Sequence, residues 1–135
     1  MTDNTAVTQY LREFREAAVA AGLPDRTPGQ NWYALPLVKG SHISLSVGRN
    51  QIQVNLNNDT DEDRLRFNAL WSDREAIQKE LDEQLVWDNK EGRKKTAVRA
   101  TQELGYEDTS SWPNQHKWAI ATIKKFQTCF GRRIV

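Results

Sequence analysis

Apolar residues along this chain follow two rhythms, and each switch between them marks an element boundary. Val7, Tyr10, Leu11, Phe14, Ala18 and Ala21 recur at helical spacing, which predicts a first helix over Thr5–Ala21. Gly22 and Pro24 stop it, and the Pro, Gly and Asp content of LPDRTPGQ reads as a turn-rich connection. Three strands are predicted next, at Trp32–Val38, His42–Val47 and Gln51–Asn57. In the last two, Ile43, Leu45, Val47, Ile52, Val54 and Leu56 alternate with Ser, Gln and Asn, and Gly48-Arg49-Asn50 joins them as a hairpin. Pro36 marks the first of the three as an edge or a strand end.

The longest periodic stretch runs from Asp59 to Trp87 and organises the rest. Phe67, Leu70, Ile77 and Leu81 keep one helical stripe, with acidic residues crowded at its front and Asp59 or Thr60 as the cap. Ser72-Asp73-Arg74-Glu75 has the spacing of an internal capping box, but the stripe stays in phase across it, so one continuous helix is expected. Leu85 and Trp87 return to a period of two, which predicts a fourth strand at Gln84–Asp88 and a turn at Asn89–Gly92. A fifth strand follows over Arg93–Thr101, with Lys95, Ala97 and Arg99 on one side. Ser111 starts a closing helix whose buried stripe is Ala119, Ile120, Ile123, Phe126 and Phe130, and Gly131 ends it. Together these describe an α+β fold in a single domain over residues 1–135. An antiparallel sheet of about five short strands carries its helices on one face and leaves the other open.

Composition narrows the function classes. One cysteine, Cys129, excludes an internal disulfide, and no apolar run approaches a membrane span, so a cytoplasmic protein is expected. The net charge of +1 conceals a polarity: residues 1–89 carry 9 Lys and Arg against 14 Asp and Glu, and residues 90–135 carry 10 against 4. Such asymmetry often marks a face that meets an anion or an acidic partner.

No catalytic pattern emerges. His42, His116 and Cys129 lie on separate elements without metal-ligand spacing, so neither a metal nor any other cofactor is expected. Cys129 sits beside an apolar helical stripe, where a thiol is a filler. Pro24-Asp25 and Asp88-Asn89-Lys90 match the letters of a magnesium-dependent nuclease, but Asp25 precedes any strand and Asp88 to Lys90 fall at a turn. The five tryptophans are expected mostly in the core or at its rim; Trp112 and Trp118 bracket the start of the basic last helix, and one of them is the alternative candidate for exposed stacking.

The open sheet face is the stronger candidate. Ser44, Ser46, Gln51, Gln53 and Asn55 should project from it, and Lys95 and Arg99 join if the fifth strand pairs alongside. Amides and hydroxyls beside cations suit phosphate and base-edge hydrogen bonding, although the face shows no aromatic platform.

Tyr10-Leu11 with Phe14, then Phe67, Leu70, Arg74-Glu75 and Ile77, then Leu85 and Trp87 form a series of anchors. Trp112, Trp118, Phe126, Phe130 and Arg132-Arg133-Ile134 complete it. This pattern resembles an uncharacterised bacterial and archaeal domain, domain of unknown function 4268. The resemblance implies a segment often carried C-terminal to restriction-endonuclease-like nuclease domains, hence work in DNA metabolism or defence, and it brings no site residues. The leading expectation is a non-enzymatic accessory domain that contacts DNA or RNA through Arg93, Lys94, Lys95 and Arg99. Gln53, Asn55, Lys117 and Lys124 lie alongside in that reading. The alternative is a protein-interaction or homodimerisation module, with a nuclease protein or a second copy as partner. A metal nuclease built on Asp25, Asp88 and Lys90 is third.

Overall fold

The computed structural model describes residues 4–90 and 92–134. Helix α1 (Asn4–Ala20) leads into a three-strand meander, β1 (Trp32–Val38), β2 (Ser41–Val47) and β3 (Ile52–Asn58). Helices α2 (Leu65–Ser72) and α3 (Arg74–Leu81) then cross to β4 (Leu85–Asp88), β5 (Thr96–Gln102) returns beside it, and α4 (Trp112–Gly131) closes the chain. The strand order is β1-β2-β3-β5-β4, with every pair antiparallel. The crossover therefore deposits β4 at the far edge, and β5 fills the slot between β3 and β4.

The apolar face of the sheet is covered and the polar face is not. Tyr33, Leu35, Ile43, Leu45, Ile52, Val54, Leu56, Val98 and Ala100 meet Phe14, Ile77, Ala119, Ile123, Phe126 and Phe130 in one buried cluster. Helix α4 lies across β1, β2 and β3, with α1 and α3 against it. The expected α+β architecture is present, and β1 has the predicted limits. No helix among the described residues is long and apolar enough to cross a membrane.

Three local expectations need correction. The central helix breaks at Asp73 (φ −109°, ψ 18°). Ser72 Oγ donates to the Ala69 carbonyl (2.8 Å) and Arg74 Nη1 to that of Trp71 (3.0 Å), so local donors satisfy the carbonyls that end α2. Neither Asp59 nor Thr60 caps α2. The carboxylate at that end is Asp61, which accepts from the Arg66 and Phe67 N–H groups of α2 across the short turn over Glu62–Arg64. Ser111 makes no side-chain cap bond to α4, since its hydroxyl donates to the Asp108 carbonyl (3.0 Å). Gly131 is the last residue of α4 and Gly22 (φ +95°) ends α1, both as expected.

Cys129 is fully buried, and burial first of all pushes its thiol up to about 11, in keeping with a filler. His116 packs edge-on to Tyr10 (ring centroids 4.5 Å) with Phe14 on its other side, and its Nε2 is buried without a partner. Burial lowers its pKa below the ordinary imidazole value, against a weaker opposite pull from Glu13. The unfolded chain therefore binds the proton more readily, so this site's stability is full above the ordinary value and is lost as pH falls through the folded one. Thermal midpoints measured from about pH 7 to 5 should fall for the wild type, and His116→Leu should flatten that slope.

Candidate functional site

The register places the open face in three rows running across the strands. One row is Trp32, Ser46, Gln53 and Thr101, and the next is Ala34, Ser44, Asn55, Arg99 and Val86. The third is Pro36, His42, Asn57, Ala97 and Asp88. Alternation in β2 and β3 dictates the polar middle, because every second residue (Ile43, Leu45 and Val47; Ile52, Val54 and Leu56) must be apolar to meet α4. Ser44, Ser46, Gln53 and Asn55 therefore lie where the sequence placed them. Gln51 precedes β3 and is exposed, and Asn57 takes the remaining β3 position instead.

Side chains on this face bond mainly to one another. Asn55 Nδ2 donates to Ser46 Oγ (3.1 Å) and Ser44 Oγ (3.3 Å), and Asn57 Nδ2 donates to Ser44 Oγ (3.0 Å). Gln53 Nε2 reaches Thr101 Oγ1 at 3.4 Å. This knitting leaves Ser44 and Asn55 only 7% exposed although no helix covers them. Amide donors are thus spent within the sheet. Arg99 Nη2 donates to Asp88 Oδ2 (2.9 Å), and Lys90 Nζ stands 3.6 Å from the same oxygen. Burial would raise the Asp88 carboxyl, but the Lys90 backbone N–H and the Lys90 and Arg99 charges outweigh it and hold the carboxyl below its ordinary range. The one arginine on the face is therefore ion-paired, although Lys90 shares the same carboxylate and Arg99 Nε is buried without a partner among the described residues.

The eight candidate residues do not share a surface. Gln53, Asn55 and Arg99 lie together on the open face. Arg93, Lys94 and Lys95 precede β5 in the connecting turn, where Lys94 pairs with Glu62 (3.7 Å), so Lys95 is not a face residue of the strand. Lys117 and Lys124 are exposed on α4, which packs on the opposite side of the sheet, and Lys124 Nζ donates to the Ala21 carbonyl. The nuclease letters separate too. Asp25 pairs with Arg15 in a loop that Tyr33 pins from the covered side, its hydroxyl accepting from Arg26 N–H and donating to the Pro24 carbonyl (both 2.8 Å). Asp88 faces the open side. No group of three His, Cys, Asp or Glu able to hold a metal ion lies among the described residues.

The core or core-rim expectation holds for Trp112 and Trp118, and the stacking alternative does not. Trp112 is buried and donates to the Tyr106 carbonyl (3.0 Å), and Trp118 is half-buried against Glu83 (2.9 Å). The exposed tryptophans are Trp32 (46%), which gives the open face an aromatic end, and Trp71 (42%). Trp71 stands edge-on to Trp87 (5.4 Å), stacks on Phe67 (6.3 Å) and carries the Arg74 guanidinium 4.5 Å above its ring. Between α2, α3 and β4, Trp71 and Trp87 wall a groove of about 500 Å³ with Arg74, Glu75, Gln78 and Lys79. Sequence reasoning missed the groove, and its one legible signal was Arg74 three residues beyond Trp71, a spacing that suits a helical cation–π pair.

Residues 5–134 match the family described as Domain of unknown function (DUF4268). The chain belongs to that family. No curated protein matches it. Two solved structures resemble this DUF4268 chain at a distance. A chain of the ExsC–ExsE complex has 15% identity and a TM-score of 0.49, covering 93% of each chain. YbjN from E. coli has 14% identity and a TM-score of 0.49, covering 90% of this chain and 89% of the other. Both likenesses are too remote to say anything of what this chain binds.

Proposed function

We propose that this DUF4268 chain is a protein-interaction module whose open sheet face is its contact surface. The observation that carries this reading is the chemistry of that face: its one arginine is paired, its amide donors are spent on neighbouring hydroxyls, and its ends are Trp32 and Val86, about half exposed. A phosphate backbone offers acceptors and needs several free cations and donors, whereas the cationic donors left over on this face are the buried Arg99 Nε and half-buried Lys90, which shares Asp88. A protein interface favours charge depletion with aromatic anchors, which it does present. The nuclease setting implied by the family resemblance makes a nuclease-bearing protein the first partner to try, with a second copy of the chain as the other.

The test is recovery of the tagged full chain from its own cells, with and without nuclease treatment. A partner that survives nuclease digestion and is lost with Gln53→Arg and Thr101→Arg supports the reading. Both variants place charge on half-buried positions that a folded sheet tolerates. Release of the partner by nuclease, or retention by the double variant, contradicts it.

A further inference from the structure

We infer a second contact that deepens the protein-interaction reading and rests on it: the bare edge of β4, with the Trp71–Trp87 groove, receives an extended, acidic segment of a partner protein. Strand β4 pairs only with β5, so its outer backbone groups have no strand neighbour. Soluble proteins usually guard such an edge with charge, proline or a covering element. This edge reads Leu85-Val86-Trp87, and the one charge that follows, Asp88, is turned onto Arg99. An added strand would alternate its side chains, one set entering the groove beside Trp87 and the other lying beside half-exposed Val86.

Two observations set the chemistry of the occupant. The indole N–H groups of Trp71 and Trp87 have no acceptor among the described residues, whereas those of Trp112 and Trp118 do. Carboxylates or backbone carbonyls of a bound segment would supply one. Around the strand, Lys79 on the groove wall and Arg93 and Lys95 in the turn after β4 have no ion-pair partner among the described residues. Register keeps that turn close, since Lys95 stands two residues before Ala97, which pairs with Asp88. Glu75 is the single carboxylate on the groove wall. Cations beside an apolar slot call for a segment in which acidic residues alternate with bulky apolar ones.

Selection of random short peptides displayed on phage against the folded protein tests this. The enriched peptides should alternate Asp or Glu with aromatic or aliphatic residues. The most enriched one, made synthetically, should shift the amide signals of residues 85–88 and the indole signals of Trp71 and Trp87. Trp71→Ser should weaken that peptide roughly tenfold or more, and so should Lys79→Glu with Lys95→Glu, whose exposed side chains do not support the fold. Gln53→Arg with Thr101→Arg should leave peptide affinity unchanged, which separates failure of this site from failure of the open face. No enrichment, signal shifts confined elsewhere, or an oligothymidine that competes for the groove with the same variant sensitivity would each overturn the inference.

Discussion

Asp61→Ala is expected to lower folding stability by about 2–4 kcal/mol, the largest single-residue effect outside the apolar core. Asp61 is 2% exposed, and its carboxylate accepts from the Arg66 N–H (2.8 Å), the Phe67 N–H (2.9 Å) and the Thr96 hydroxyl (2.7 Å). The first two are orphan donors at the start of α2, where a helix dipole favours an anion. The third extends a row across the sheet. Asn58 Nδ2 donates to Thr96 Oγ1 (3.0 Å), Ser41 Oγ to Asn58 Oδ1 (2.6 Å) and Arg66 Nη1 to Ser41 Oγ (2.6 Å). Alanine removes the acceptor for all three donors and leaves the buried Thr96 hydroxyl proton without its acceptor. Urea unfolding should show a lower midpoint with an unchanged slope, and Asp61→Asn should recover part of the loss. A deficit below about 1 kcal/mol would mean that water replaces the carboxylate and that the crossover is not anchored here.

Gly105→Ala is expected to cost about 2–3 kcal/mol for a steric reason alone. A Cβ at this position would lie 2.3 Å from the Gly48 carbonyl oxygen and 2.4 Å from that of Arg49. Both obstacles are backbone, so no rotamer change relieves them. The close approach clips the β2–β3 turn to the loop before α4: Tyr106 N–H donates to the Gly48 carbonyl (3.0 Å) and Glu107 N–H to that of Arg49 (3.1 Å). Gln115 Nε2 donates to the Gly105 carbonyl (2.9 Å), and Tyr10 Oη donates to Gln115 Oε1 (2.8 Å), so the clip reaches α1 through α4. Hydrogen exchange at Tyr106 and Glu107 should accelerate in the variant before the sheet opens globally. Unchanged exchange there would show that the loop is not held by this contact.

Much of the fold was legible because it follows from local rhythm. Period-two alternation set β1 to β3 and the polar composition of the open face. Helical stripes set α1 and α4. The helix break escaped because apolar phase reports which side is buried, not whether the axis is continuous, and the decisive bonds come from Ser72 and Arg74 to carbonyls only three residues back. The candidate site was legible in part. Gln53, Asn55 and Arg99 do converge, since Asn55 faces Arg99 in register. Lys117 and Lys124 do not join them, because which side of the sheet a distant helix covers is decided by packing between residues far apart in sequence. The pairing of Arg99 with Asp88 was only half legible: the turn after Asp88 suggested β4 beside β5, but the strand pattern carries no register, and register decides which side chains meet. Tryptophan exposure depends on neighbours in the same way, which is why Trp112 is buried and Trp71 is not.

A photo-crosslinking benzophenone side chain placed at position 53, compared with one at position 117 on α4, tests the central claim most directly. With both forms of the full chain irradiated in cells, position 53 should yield a discrete adduct that resists nuclease and collapses under protease, and position 117 should yield none. A position-53 adduct that carries nucleic acid, or adducts formed only from position 117, would contradict a protein-binding sheet face.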